Sequence, residues 1–191
     1  AKYALDFDGV DDYVSIDNTG IPLSFSGSAP FSVEAWFKLD SLDKIQFIAS
    51  NYTANGDGND GEAQNWSLGV DTGNKVYFHR EIGPNWNVVG TTTLQTGVWY
   101  HAAGVYDGTN INVYLNGSLE GSLSSGNIAS VTEPFVSIGA NSRGTNYFLD
   151  GRIDDVRIWD DERTITEIQN NMNQELVGDE ANLVAYYKLN D

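Results

Sequence analysis

Between Tyr3 and Leu189 the apolar residues come in short runs, and Gly, Asn or Asp cuts each run off after a handful of positions. A chain written this way buries its apolar side chains as antiparallel strands joined by tight turns. The cleanest run is FSVEAWFKL at 31–39. Phe31, Val33, Ala35, Phe37 and Leu39 share one face, and Ser32, Glu34, Trp36 and Lys38 share the other. A tryptophan on that second face marks either a central strand or a groove on its outer side. Residues 3–7, 47–50, 66–70, 75–80, 99–106, 111–115, 135–138, part of 148–159, and 183–189 read as further strands, with Tyr3, Leu5 and Phe7 inward in the first. Asp107-Gly108 and Asn116-Gly117 bracket the strand at 111–115, and both dipeptides tolerate the positive φ of a hairpin turn. Residues 71–74 read as another such turn. A single helix is expected over 164–176: Thr164 and Glu167 form a capping-box pattern, and Ile165, Ile168, Met172 and Leu176 fall on one side.

The 191 residues, 40% hydrophobic and 12% aromatic, predict one folded domain over 1–191 with a sizeable core. Their net charge of −17 is spread from Asp6 to Asp191 and not gathered into a tail. Such a surface disfavours nucleic acid, whose affinity comes from neutralising phosphates, and anionic membranes on the same Coulombic ground. It suits calcium, which takes hard oxygen ligands, and it equally serves solubility. With no cysteine, disulfide scaffolds and thiolate zinc sites are excluded. No apolar run approaches the roughly 20 residues that span a bilayer, so no membrane insertion is expected. The opening AKYALDF lacks the features of a signal peptide, which would be removed or lie upstream.

Two acidic segments stand out: FDGVDDYV at 7–14 and GRIDDVRIW at 151–159. Strict alternation in the second places Asp154, Val156 and Ile158 on one face, and Ile153, Asp155, Arg157 and Trp159 on the other. A carboxylate among buried apolar neighbours needs a partner. The two clusters imply either a cation held between them or two solvated turns.

Taken together, ALDFDGVDDYV, FSVEAWFKL, GVWYHAAGVYDGTNINVYLNG, FLDGRIDDVRIWDDERTITEIQ and the terminal LVAYYKLND resemble the concanavalin A-like, laminin G-like group, in particular its pentraxin-like subset. The resemblance runs in order over nearly the whole chain. It implies an all-β jelly-roll sandwich of two curved antiparallel sheets with one short helix, and adjacent first and last strands. It also implies a structural calcium between the chain ends, held by Asp8, the Gly9 carbonyl and Asp154, with Asp12 a further candidate. The alternative pairs Asp154 with Arg152 or Arg157 and leaves Asp12 to cap a turn.

Asn55 to Glu62 (NGDGNDGE) resembles an EF-hand loop but fails as one. Aligned on Asn55, Asp57 and Asn59, it puts Asp60 where the bend needs glycine and Trp66 where a bidentate glutamate is required. Asp57, Asp60 and Glu62 remain candidates for a second calcium site, with a solvated loop as the alternative. Glycoside hydrolysis needs two carboxylates presented on one strand face, and Glu34 stands alone on its strand. The DDER run at 160–163 precedes the helix cap. His79 and His101 lie on separate strands without an evident serine partner, and no glycine-rich phosphate loop opens a helix.

Recognition remains. Trp66, Trp86 and Tyr52 border long or polar loops, as stacking on sugar rings requires. Arg80, Asn141 and Arg143, with Tyr147 in the rim loop NSRGTNYF, supply candidate polar contacts. Trp36, Trp99 and Trp159 read as core packing. The expected protein is a non-catalytic, calcium-binding extracellular recognition module for a glycan, part of a larger bacterial secreted protein or surface adhesin. The competing reading is a protein- or peptide-binding adhesion module, with Arg80 and Arg143 taking a carboxylate. A glycoside hydrolase is the weakest reading, and the oligomeric state is not set by the sequence.

Overall fold

A computed structural model describes residues 3–20, 23–52, 64–80, 87–124 and 135–190. Among these, thirteen strands and one helix follow in chain order: β1 (Leu5–Asp8), β2 (Val14–Asp17), β3 (Phe31–Leu39), β4 (Gln46–Tyr52), β5 (Gln64–Val70), β6 (Val76–Arg80), β7 (Asn87–Val89), β8 (Trp99–Tyr106), β9 (Asn110–Leu115), β10 (Ser118–Ser124), β11 (Phe135–Ile138), β12 (Asp150–Trp159), α1 (Ile165–Asn171) and β13 (Leu183–Tyr187). They build two antiparallel sheets, the jelly-roll sandwich expected. One sheet runs β1-β12-β3-β8-β9-β10 with β13 also on β12, and the other runs β2-β11-β4-β5-β6-β7.

The core lies between the sheets. On β3 the alternation sends Phe31, Val33, Ala35, Phe37 and Leu39 inward with no exposed surface. Phe31 stacks on Phe25 at 4.3 Å between ring centroids and meets Phe78 of the opposite sheet at 5.8 Å. Gly104 on β8 makes room for that ring, since a Cβ there would lie 2.2 Å from Phe78 Cδ2. The Asn116-Gly117 turn joins β9 to β10 with φ of 49° and 73°, the two positive values a type I′ hairpin requires.

Strict alternation fails on β12. Asp155 has φ 51°, and the pairing with β3 slips between Asp154 and Arg157, so one extra residue is inserted as a bulge. Ile153, Val156 and Ile158 therefore all join the core, while Asp154 lies opposite Trp36, and Arg157 opposite Glu34, on the outer face. This corrects the expectation that Asp154 shares a face with Val156 and Ile158. The chain ends meet through β12: β1 pairs with residues 150–153 and β13 with 156–159, end to end along one edge with the bulge between them. Tyr3, expected inward, is 55% exposed just before β1.

The helix forms where the capping box predicts. Thr164 accepts from the Glu167 backbone, and the Glu167 carboxylate accepts from the Thr164 backbone. It crosses the outer face of the seven-stranded sheet, with Ile168 packed on Ala103 and Val105. Gln169 donates to the Gly117 carbonyl at 2.8 Å, which ties the helix to the β9–β10 turn. The helix stops at Asn171, short of Leu176, and Ile165 is 42% exposed, so the expected four-residue stripe contributes only Ile168 to the helix's buried face.

Candidate functional site

The outer face of the six-stranded sheet carries a pocket of about 180 Å³ whose walls are aromatic. Alternation on β6 turns Tyr77 and His79 outward while Val76 and Phe78 join the core. Gly69 on the neighbouring β5 lets the Tyr77 ring lie over the sheet, because a Cβ there would lie 3.1 Å from that ring and 2.5 Å from the Gln46 carbonyl oxygen. Phe47 on β4 is the hub. It stacks on Tyr147 at 4.6 Å and 24°, and meets Tyr52 edge-on at 5.4 Å. Tyr52 in turn stands edge-on to His79 at 5.0 Å.

Tyr147 reaches Phe47 because the 141–147 loop runs beside β4 as a further strand would. Phe47 N–H donates to the Tyr147 carbonyl at 2.9 Å, and Tyr52 N–H donates to Ser142 Oγ at 2.6 Å. The Asn141 side chain shapes that loop by accepting from Thr145 N–H at 2.8 Å and donating to Thr145 Oγ1 at 3.0 Å. The pocket's polar side is His79, whose Nδ1–H donates to Asn87 Oδ1 at 2.7 Å, with Asp71 and Ser67 nearby. Burial pushes the imidazole pKa down to about 4 against the opposing effect of Asn87, so His79 is neutral near pH 7. Burial likewise pushes the Tyr77 hydroxyl up. The result is a rigid apolar floor flanked by an imidazole, an amide and a carboxylate.

Of the expected ligand contacts, Tyr52 and Tyr147 line this pocket, and Arg143 is exposed in the same loop. Asn141 is fully buried, its amide committed to the loop. Arg80 points the other way. It is fully buried with its guanidinium 3.4 Å over the Tyr106 ring, and Nη2 donates to the Gly27 carbonyl at 2.7 Å. Burial lowers its pKa to about 10. It cannot meet a ligand on the outer face, because the β6 alternation that turns His79 toward that face turns residue 80 inward. Trp66 is also buried, donating to the Leu23 carbonyl. Trp86 and the acidic residues Asp57, Asp60 and Glu62 lie outside the described residues. Phe47, Tyr77 and His79 were missed as pocket residues, although the outward alternation of Tyr77 and His79 on a strand of 75–80 was a readable signal.

The N-terminal acidic loop does gather carboxylates. Asp8, Asp11 and Asp12 each offer an oxygen within 4.8 Å of the others. Gly9, at φ 74°, bends the loop, Asp8 Oδ1 accepts from Val10 N–H at 2.8 Å, and Asp12 Oδ2 accepts from Asp8 N–H at 3.1 Å. The Val10 and Asp11 backbone N–H groups, both donating to Oδ1, hold the Asp8 carboxyl below the usual carboxylate range. Asp8 pairs across β1–β12 with Asp150, and Asp40 lines the same cleft. Lys44 Nζ already brings one positive charge to Gly9, within 2.8 Å of where a Cβ would sit. An all-oxygen donor set of this kind fits a hard cation. Asp154 is not part of it: it lies four residues beyond Asp150 on β12, about 13 Å along the strand.

On the other sheet, Glu34 is buried beneath the segment that follows the helix. Trp159 Nε1–H donates to Oε1 at 3.0 Å, Arg157 Nη1 lies 3.6 Å from Oε1, and His101 Nε2 lies 3.4 Å from Oε2. Burial alone would raise its pKa; His101, Arg157 and the indole outweigh burial and hold it low. A carboxylate so enclosed anchors the sheet and does not face a substrate.

Two antiparallel sheets, with a pocket on one outer face and a helix on the other, define a jelly-roll sandwich. The chain belongs to the concanavalin A-like lectin/glucanases superfamily, whose family model matches residues 8–169. No curated protein matches it in sequence. Among solved structures it is similar to a "putative carbohydrate binding protein" from Bacteroides ovatus, at 20% identity and TM-score 0.74, covering 100% of this chain and 52% of that one. The chain thus spans about half the length of that protein. It is also similar to the heptameric SAP-like pentraxin of Limulus polyphemus (18% identity, TM-score 0.61, 86% of this chain and 78% of that one). A third is the Ruminococcus gnavus IT-sialidase CBM40 bound to alpha2,3 sialyllactose (15% identity, TM-score 0.64, 87% and 96%). At these identities the likeness speaks to the fold. No helix among the described residues is long and apolar enough to cross a membrane.

Proposed function

We propose that residues 1–191 form a non-catalytic module that binds a glycan on the outer face of the six-stranded sheet. The observation that carries this is the pocket built on Phe47, where Tyr52 and Tyr147 rings stand beside His79, Asn87 and Asp71. A sugar ring offers an apolar C–H face to such rings and hydroxyls to the polar side. At about 180 Å³ the pocket is smaller than the roughly 300–1,000 Å³ that drug-sized ligands occupy, so it seats one ring and leaves its neighbours to run over the open sheet. The sialyllactose bound to the Ruminococcus gnavus neighbour, and the description of the Bacteroides ovatus one as a "putative carbohydrate binding protein", support the same reading. A non-catalytic role is supported by Glu34, which is buried among Arg157, His101 and Trp159 on the sheet opposite the pocket. Secretion or surface display, within a larger bacterial protein, belongs to the same proposal.

Calcium is the proposed cofactor, held by Asp8, Asp11 and Asp12 in place of the Asp8–Asp154 pairing. When bound it would neutralise three exposed carboxylates and brace the loop that leads out of β1. The second reading, capture of a peptide carboxylate, rests on Arg143, exposed on the pocket's rim loop. A glycan array run with calcium and with chelator tests both. Specific glycan binding that falls about 30-fold in Tyr52→Ala and Tyr147→Ala, a loss of ~2 kcal/mol, supports the proposal. Silence across glycans, with capture of an acidic peptide that Arg143→Ala abolishes, replaces it with the second reading.

A further inference from the structure

Among the described residues, the aromatic pocket on the six-stranded sheet has one charged group in its lining, and that group is the Asp71 carboxylate. Asp71 opens the β5–β6 turn, where its Oδ1 accepts from Gly73 N–H and from Lys75 N–H, both at 2.9 Å. Both bonds fall on Oδ1, which leaves Oδ2 to accept from solvent or a ligand. Burial pushes the Tyr77 hydroxyl up, and the neighbouring Tyr52, Tyr147 and Asp71 push it further, so the carboxylate is felt across the pocket. The other polar groups, the three tyrosine hydroxyls and the Asn87 amide among them, are neutral. His79 is neutral too near pH 7.

The chain has ten lysines and arginines, and none of those described lines this pocket. Residues 53–63, 81–86 and 125–134 contain neither lysine nor arginine in their sequence. Arg80, next to His79 on β6, is turned into the core and stacked on Tyr106. Two cations belong to segments that border the pocket. Arg143 is exposed on the 141–147 loop, and Lys75 precedes β6 on the face of Tyr77 and His79. Both stand outside the lining.

A ligand carboxylate entering here would exchange water for phenols and an amide, with no guanidinium to take it in the bidentate way that offsets such a loss. Removing an unpaired carboxylate from water costs several kcal/mol, and the like charge of Asp71 adds to that cost. The net charge of −17 acts in the same direction at longer range. An uncharged ring meets neither penalty. Its hydroxyls can donate to Asp71 while its C–H face covers the tyrosines. On the glycan reading, which this one presupposes, we infer that the pocket takes an uncharged sugar ring and rejects acidic sugars, with Asp71 accepting from a ring hydroxyl and setting that preference.

An array carrying neutral oligosaccharides of glucose, galactose, mannose and N-acetylglucosamine, beside counterparts that bear uronic or sialic acid, reads the preference at pH 7. For the ring that binds, calorimetry then compares its methyl glycoside with the C6 acid and the C6 amide. The amide has nearly the shape of the acid and no charge, so it separates charge from size. The acid is expected to bind at least about tenfold more weakly than the neutral glycoside, and the amide within about threefold of it. Asp71→Asn keeps the Oδ1 acceptor for Gly73 and Lys75, and with it the turn, while removing the charge. It is expected to weaken the neutral glycoside several-fold and to narrow the gap to the acid by at least about threefold, with the melting temperature unchanged. An acid that binds as tightly as its neutral glycoside, an amide as weak as the acid, or a gap unchanged in Asp71→Asn would overturn this inference and leave the glycan reading standing. Silence across the whole array would instead overturn the glycan reading, and this inference with it.

Discussion

His79 makes the aromatic pocket a source of acid sensitivity. Its imidazole is enclosed between Tyr52 and Asn87, and burial lowers its pKa from about 6.5 in the unfolded chain to about 4 in the folded one. Above about pH 6.5 the ring is neutral in both states and contributes nothing to pH dependence. Between about 6.5 and 4 the unfolded chain binds a proton that the native protein refuses, so stability falls as pH falls. The gap of about 2.5 pH units, at ~1.4 kcal/mol each, amounts to about 3 kcal/mol lost by pH 4. That is a large share of the ~5–15 kcal/mol that holds a typical domain folded. The perturbation is His79→Gln, whose neutral amide can still donate to Asn87. Urea denaturation of both proteins at intervals between about pH 7 and 4 isolates the effect, because the many carboxylates are common to both and cancel in the difference. The variant is expected to gain on the wild type by ~1.4 kcal/mol per pH unit across that window and by nothing above it. Parallel stability profiles would refute the reasoning, because His79 would then titrate alike in the folded and unfolded chains.

Three further outcomes follow from other parts of the sandwich. Gly104→Ala drives a methyl group into the Phe78 ring, where a Cβ would lie 2.2 Å from Cδ2, and is expected to cost about 1–3 kcal/mol and lower the Tm by several degrees. Glu34→Ala leaves the buried Arg157 with Asp155, 3.8 Å away, as its remaining carboxylate and strips Trp159 Nε1–H of its acceptor, and is expected to cost about 3 kcal/mol in chemical denaturation, whereas a surface control such as Glu162→Ala should change little. Calcium at a hundredfold excess over its Kd should stabilise the wild type by about 2.7 kcal/mol. EDTA should reverse that gain, and Asp8→Asn with Asp12→Asn should remove it. Asp154→Asn should leave the calcium response unchanged, because that carboxylate sits about 13 Å from the loop.

The fold was legible wherever burial is one-sided and turns are chemically marked. β3, β8 and β11 begin and end where alternation places them, and Asn116-Gly117 forms its hairpin. The strands that escaped are those with little apolar content to pattern. β10, SLEGSLS, is an edge strand that exposes Leu119, and β2 and β7 are only four and three residues long. Their pairing comes from neighbours that already have their own pattern, so single-chain periodicity carries no trace of it. The helix was found from its cap, and its length was overestimated because Leu176 reaches the interior from beyond the C-terminal end.

The sites were less legible for a reason that one residue illustrates. Alternation is a reliable guide to facing only while the ladder is regular, and an extra residue in one strand changes the face of everything that follows it. No feature of IDDV announces that Asp155 will adopt φ 51° and drop out of the ladder. That bulge moves Asp154 to the outer face beside Trp36 and brings Arg157 over Glu34. It also falls where β1 ends and β13 begins along the β12 edge. Asp154, expected beside Asp8, is separated from it by the strand register. The register of β1 against β12 gives Asp8 to Asp150, and the bulge gives Asp154 to a cavity lined by Trp36 and Trp99. A buried charge marked in the sequence thus locates a need for a partner, and strand register decides which partner it can have. Deleting Asp155 should remove the bulge and give a regular ladder in which Val156 falls opposite Ala35 and, with Ile158, still faces the core, so the variant is expected to stay folded with native near-UV circular dichroism; a deletion variant that fails to fold would show that Asp155 does more than absorb the extra residue of β12.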